Sequence, residues 1–290
     1  MIYLRKYLSF FFILLFLLNS CVSLPGIKKN PSSKKTNKNI LASNYSIDDV
    51  GINIIKINSL TENEISEYNK NFIEEITDFC FNMTFGKKGE HRRYRSGGTH
   101  FRRNGEIFCD TFQGKLGEFF VYQKLIELGI NTSKPDIETW GLGKWDDQDF
   151  VINNKLINVK SMAHFSNLLL LETKDWDGNG IFIPNGTPYD FFVVSRTKPD
   201  LKSIFKSKRM LYSDDITFSI IKTIIDEITF EADIPGYIDN SMLATVIDSE
   251  QILPKGSLLN GRISMDAENY YILTTDFLEL DNIVKPLMNV

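Results

Sequence analysis

Along the chain, apolar and polar positions change their period several times, and each change marks an element. Residues 44–70 alternate around 50–57 and then meet Thr61 and Glu64, three apart, ahead of a helical run, which is the spacing of a capping box. Residues 72–85 keep the helical period. A second apolar stripe, Leu116, Phe119, Phe120, Leu125 and Leu128, predicts a helix over 110–130 with Gly129 as its stop. Beyond it the period falls to two. Residues 149–153 and 156–161 alternate on either side of Asn153 and Asn154, which tolerate the left-handed backbone of a tight hairpin turn. Residues 168–173 and 189–196 read as further strands of the sheet, the second apolar enough to be central. Residues 214–228 read as an amphipathic helix packing on that sheet, and 233–280 mix a short helix with strands and turns. Helices interleaved with strands predict an α/β fold, a mixed central sheet flanked by helices with a small C-terminal α+β extension.

The start of the chain follows another pattern. Arg5 and Lys6 precede an apolar run at 7–18, which is the length of a signal-peptide core and short of the roughly 20 residues that span a membrane. With Asn19 and Ser20 leading to Cys21, the stretch resembles a bacterial lipoprotein signal, which would put a lipid and a membrane attachment on Cys21; a plain signal anchor is the alternative. Residues 27–39 are rich in lysine, serine and asparagine and read as a solvated tether. The expected organisation is therefore a leader at 1–21, a linker at 22–43, a short segment at 44–71, a core at 72–230 and an extension at 231–290. Residues 20–26 and 44–70 together are similar to the amino-terminal part of polysaccharide export outer-membrane lipoproteins, although the long strand-rich remainder of such proteins is not visible here. The expected location is the cell envelope if the leader is used, and the cytoplasm if the leader is a fusion or a misassigned start.

Composition narrows the chemistry. With 290 residues, 42% of them hydrophobic, the chain can bury a sizeable core; its net charge of -4 means that a nucleic-acid partner must be met by a local basic patch. Residues 91–106 supply one: Arg92, Arg93, Arg95, Arg102 and Arg103 stand among aromatics around Gly97 and Gly98, and guanidinium forks suit phosphate oxygens. A solvated charged loop is the plainer reading of the same residues. After Cys21 only Cys80 and Cys109 remain, without a zinc-type spacing, and a disulfide between them stays open. His91, His100 and His164 form no metal or triad pattern, no phosphate-binding glycine motif is present, and residues 175–186 lack the acidic spacing of a calcium loop.

The hairpin carries the chemistry-bearing pattern. Side chains two apart share a sheet face, so Asn158 and Lys160 lie together on one strand, while Asp149 opens the other and Glu118 sits on the preceding helix. That arrangement, from about residue 106 to 196, resembles the core of the PD-(D/E)XK nuclease superfamily, the restriction endonuclease-like fold. The resemblance implies a magnesium- or manganese-dependent DNA endonuclease in which Asp149, Glu118 and Asn158 hold the metal and Lys160 contacts the attacking water or the scissile phosphate. It also implies DNA as partner, the five arginines as its contacts, and a homodimer if both strands are cut. Two positions depart from the family. Asn158 stands where an acidic residue is usual, and Asp149 follows Gln148 rather than proline, whereas Pro135 and Asp136 form a literal match upstream; Asp147 is a further alternate. Glu172 could lend a carboxylate, and Tyr270 and Tyr271 could read bases, though a surface glutamate and core aromatics are the simpler expectations. The rivals of another class are a noncatalytic envelope lipoprotein related to polysaccharide export and an inactive nuclease-fold DNA-binding protein.

Overall fold

The computed structural model describes residues 46–48, 54–56, 62–89, 91–94, 100–139, 141, 149–259 and 263–288. The leader, Cys21, the linker, Thr61 of the expected capping box, Arg95 and Asp147 lie outside the described residues. Two short strands, β1 (Ser46–Asp48) and β2 (Ile54–Lys56), pair antiparallel ahead of helix α1 (Glu62–Thr84). Phe72, Ile76, Phe79, Cys80 and Met83 recur at helical spacing along α1 and are all buried. Helix α2 (Asn104–Glu127) packs on α1 and begins six residues before the expected start at 110. The reason lies in its capping: the Glu106 carboxylate accepts from the Arg103 backbone N–H at 3.0 Å, and Asp214 accepts from Asn104 N–H at 2.9 Å. Its end is as expected. Gly129 takes φ +79°, and the Ile130 and Gly129 amides return to the Leu125 and Ile126 carbonyls, closing a Schellman motif.

Strands β3 (Phe150–Ile152) and β4 (Lys155–Ala163) form the expected hairpin, with Asn153 at φ 48° and Asn154 at φ 64°. The chain then leaves the central sheet. Strand β5 (Leu168–Glu172), expected as a member of it, belongs to a second sheet, and β6 (Phe191–Lys198) returns to pair in parallel with β4. Helix α3 (Leu201–Ser207) follows under an Asp200 cap, and α4 (Phe218–Asp226) is shorter than the helix expected over 214–228, because Asp214 caps α2 instead. Strand β7 (Glu231–Asp239) completes the central sheet in the order β3-β4-β6-β7. Residues 231–239 are thus a core strand, and the expected boundary near 230 does not divide the fold. Helix α5 (Asn240–Asp248), strands β8 (Ile252–Leu253), β9 (Leu258–Leu259), β10 (Ile263–Ser264) and β11 (Asn269–Leu273), and helix α6 (Val284–Met288) finish the chain. β11 pairs antiparallel with β5 on one side and with β8 on the other.

The alternation along each strand separates two apolar layers. Ile157, Phe191 and Val193 join the helical core of α1, α2 and α4, whereas Met162, Phe192 and Val194 face Trp176, Leu169 and Ile272 on the other side of the sheet. This is a mixed α/β architecture in which α1, α2 and α4 pack on one face of the central sheet and α5 joins the other layer through Leu243. Cys80 and Cys109 both lie in the helical core as free thiols, and burial pushes both well above the ordinary thiol value. Among the described residues no helix is long and apolar enough to cross a membrane.

α2 lies close against the sheet at Gly117. A methyl group there would overlap Ser161 Oγ and lie 3.3 Å and 3.4 Å from the Cβ atoms of Ser161 and Ser195, which face each other across β4 and β6. Ser161 Oγ is itself fixed, donating to the Gln113 carbonyl at 3.0 Å. Gly117→Ala is expected to cost about 1–3 kcal/mol through overpacking, despite the better helix propensity of alanine. Denaturant unfolding measures it, and Ser161→Ala in the same chain should recover part of the loss.

Candidate active site

Asp149 precedes β3 at the edge of the sheet. Its Oδ2 accepts from the Val159 backbone N–H of the neighbouring strand at 2.6 Å, which fixes the carboxylate against β4. Burial raises Asp149 above the usual carboxylate range, against the opposing pull of that N–H and of the ammonium groups of Lys115 and Lys160. Burial also holds Lys160 below the ordinary lysine value, although Asp149 and Asp175 act to raise it. The two groups are therefore electrostatic neighbours, each pushed towards its neutral form by desolvation and towards its charged form by the other.

Glu118 enters the cluster through Lys115. The two side chains, three apart on α2 and each 12% exposed, form an ion pair at 2.6 Å. Burial acts to depress Lys115, but Glu118, with smaller contributions from Asp149 and Asp136, leaves its ammonium raised. Asp149 stands where both layers meet, acting on Lys115 from the helical side and on Lys160 on the opposite face of β4. Sequence reading missed Lys115 and Asp175; the Lys-Glu spacing of three on a helix was the available signal for the first. Asp136, the literal proline-aspartate match, also reaches Lys115, and its Oδ1 accepts from the Glu138 N–H at 2.7 Å.

Asn158 shares a face with Lys160 and is half-buried. Its Oδ1 is fully covered and has no hydrogen-bond partner. An orphaned carbonyl oxygen beside Asp149 and Lys160 is an acceptor that a hard cation would satisfy, since such ions take amide as well as carboxylate oxygens. Among the described residues, no three His, Cys, Asp or Glu side chains gather as one metal centre. Glu118, expected as a third ligand, instead pairs with Lys115 on the helical side beside Cys80, so the donors sharing this face are the Asp149 carboxylate and the Asn158 amide oxygen; Mg²⁺ can take one or two carboxylates while keeping several waters.

The arginines of the basic loop are placed differently from one another. Arg102 is only 7% exposed; it pairs with Asp110 at 2.9 Å and donates to the Arg92 carbonyl at 2.7 Å, so its guanidinium is part of the fold. Lys202 adds a second cation to Asp110. Arg93 and Arg103 both reach Asp214, at 3.4 Å and 2.6 Å, while remaining 42% and 53% exposed, and Arg92 is exposed. Glu172 lies on β5 in the second sheet, opposite Asn269 and 3.4 Å from Lys174. Tyr270 packs partly buried on the second apolar layer, and the Tyr271 carbonyl accepts from Gln251. His100 contacts Glu106 at 2.9 Å, and His164 stands against Phe165.

Comparison of the chain with protein-family models, curated proteins and solved structures gives no match. The functional reading therefore rests on the site itself.

His91, beside the arginines, carries its own consequence. Burial, then the charge of Arg102, lowers its imidazole to about 4. The folded value lies below the ordinary one of about 6.5, so the neutral ring favours the folded state. Its contribution is complete above about pH 6.5 and is lost as pH falls towards 4. Denaturant unfolding across this window should show wild type losing stability more steeply than His91→Gln.

Proposed function

We propose that the chain is a divalent-metal-dependent DNA endonuclease with a restriction endonuclease-like core, hydrolysing phosphodiester bonds at the β3-β4 edge. The observation that carries this reading is the half-buried Asp149 and Lys160, electrostatic neighbours across β3 and β4, beside the orphaned Oδ1 of Asn158. A polar face kept at a sheet edge, with one acceptor lacking any partner, is costly to the fold unless something occupies it.

Asp149 and Asn158, on one face of the hairpin, would hold Mg²⁺ or Mn²⁺, with waters completing its shell. When bound, the ion acidifies water and neutralises charge that builds on the phosphoryl group. The chain supplies the remaining parts. Asp149 is aimed by the Val159 amide, so its position does not depend on the ion. Lys160, whose charged form burial disfavours and Asp149 and Asp175 favour, would orient the attacking water or donate to a phosphate oxygen. Lys115 holds the Glu118 carboxylate in place through their ion pair. Asn158 brings no charge, which lowers the attraction for the ion relative to an aspartate and predicts loose metal binding.

The test is nicking of supercoiled plasmid by the purified full-length chain with Mg²⁺ or Mn²⁺. Asp149→Asn and Lys160→Ala are each expected to lower the rate by about 10²–10⁴-fold, the range for a lost acid-base or positioning group. Asn158→Asp should bind Mn²⁺ at least as tightly as wild type. Absence of nicking with either ion, or a rate unaffected by Lys160→Ala, overturns the catalytic reading and leaves the noncatalytic ones.

A further inference from the structure

Beside the head of α2, exposed aromatic rings and guanidinium groups form one cluster. Phe101 is 44% and Tyr94 51% exposed, and their rings meet edge to face at a centroid distance of 5.6 Å. The guanidinium carbons of Arg93 and Arg103 each stand 5.7 Å from the Phe101 ring centroid. Both arginines are also tied to Asp214, whose carboxylate takes the Asn104 amide as well, so the cations are held against the ring rather than free in solvent. Tyr212, 61% exposed, lies two residues before Asp214 on the segment whose Ser213 carbonyl accepts from Gly105 at the start of α2. Next to this platform, Lys87, Arg92, Arg93, Tyr94 and His91 line a cavity of about 700 Å³.

Phosphate binding alone does not account for such a surface. Arginines meant for the backbone of a duplex need only reach its oxygens, and aromatic rings left half exposed beside them bring no gain there. Rings and planar guanidinium groups do serve unpaired bases, which stack on π faces while nearby cations follow the phosphates. Asp214 fits the same role. It fixes the stacking geometry of both arginines while cancelling part of their charge, which weakens purely ionic attraction in favour of contacts that salt does not screen.

We propose that Tyr94, Phe101, Arg93 and Arg103 form a stacking platform for unpaired nucleotides, so that the chain binds single-stranded DNA in preference to duplex. The ligand class rests on the nucleic-acid reading of the Asp149 site; the preference for unpaired bases rests on the platform alone. Bases splayed from a strand end, a loop or a locally opened duplex present the required faces, and fully paired duplex does not.

The test is fluorescence anisotropy with the full-length chain, in EDTA so that binding is read without cleavage. The probes are a labelled oligothymidylate and a fully paired duplex of the same length. The strand is expected to bind about tenfold or more tightly than the duplex, with the preference persisting as salt is raised. Tyr94→Ala with Phe101→Ala should weaken strand binding by about tenfold or more, in line with the loss of one or two stacked bases. Circular dichroism confirms folding of that double variant, and Tyr94→Ala alone, at an exposed ring, gives a second measure. Duplex bound as tightly as the strand, no strand binding, or a double variant of unchanged affinity overturns the platform. Plasmid nicking is scored separately: strand binding without nicking leaves the platform and removes the nuclease, and nicking without strand preference does the reverse.

Discussion

A helix can lie close against a sheet only where it presents almost no side chain. In this chain that contact is Gly117 over Ser161 and Ser195, three small residues stacked where α2 crosses β4 and β6. The approach decides more than packing. Lys115 and Glu118 flank Gly117 on the same helix, so bringing its backbone down onto the sheet also brings the Lys115 ammonium, paired with Glu118, within electrostatic reach of Asp149. A larger residue at 117 would lift the helix and separate the two halves of the cluster. The Gln113 carbonyl, bonded by Ser161, ties the same turn of α2 to the same strand.

The hairpin and the ends of α2 illustrate what sequence pattern can and cannot convey. Asn153 and Asn154 carry their turn chemistry locally, since positive φ at both positions is a property of two adjacent residues. Gly129 does the same for the end of α2. The start of α2 was harder to read because one of its caps, Asp214, lies about a hundred residues downstream and binds only once the chain has folded. The same long-range use of Asp214 shortened α4. β5 was misplaced for a related reason: an apolar run of four leucines specifies a buried strand without specifying its partner, and the partner proved to be β11 near the far end of the chain.

The candidate site divides in the same way. Asp149, Asn158 and Lys160 follow from strand parity and were legible together. Lys115 was not, because a lysine within a turn of a glutamate is ordinary on a helix surface until tertiary packing buries both. The arginines show the converse. Five were equivalent in a linear reading, yet Arg102 is a buried tie between Asp110 and the Arg92 backbone, whereas Arg93 and Arg103 remain at the surface. Only the placement of Asp110 and Asp214 distinguishes structural cations from available ones.

One consequence follows from α2 being a single unbroken helix. Arg103 stands at its first turn and Glu118 fifteen residues later, a separation of about 22 Å at the usual helical rise. A rod of that kind works as a ruler. The aromatic and guanidinium groups at its head are thereby held at a constant distance from the Lys115–Glu118 pair, whatever the loops beside them do.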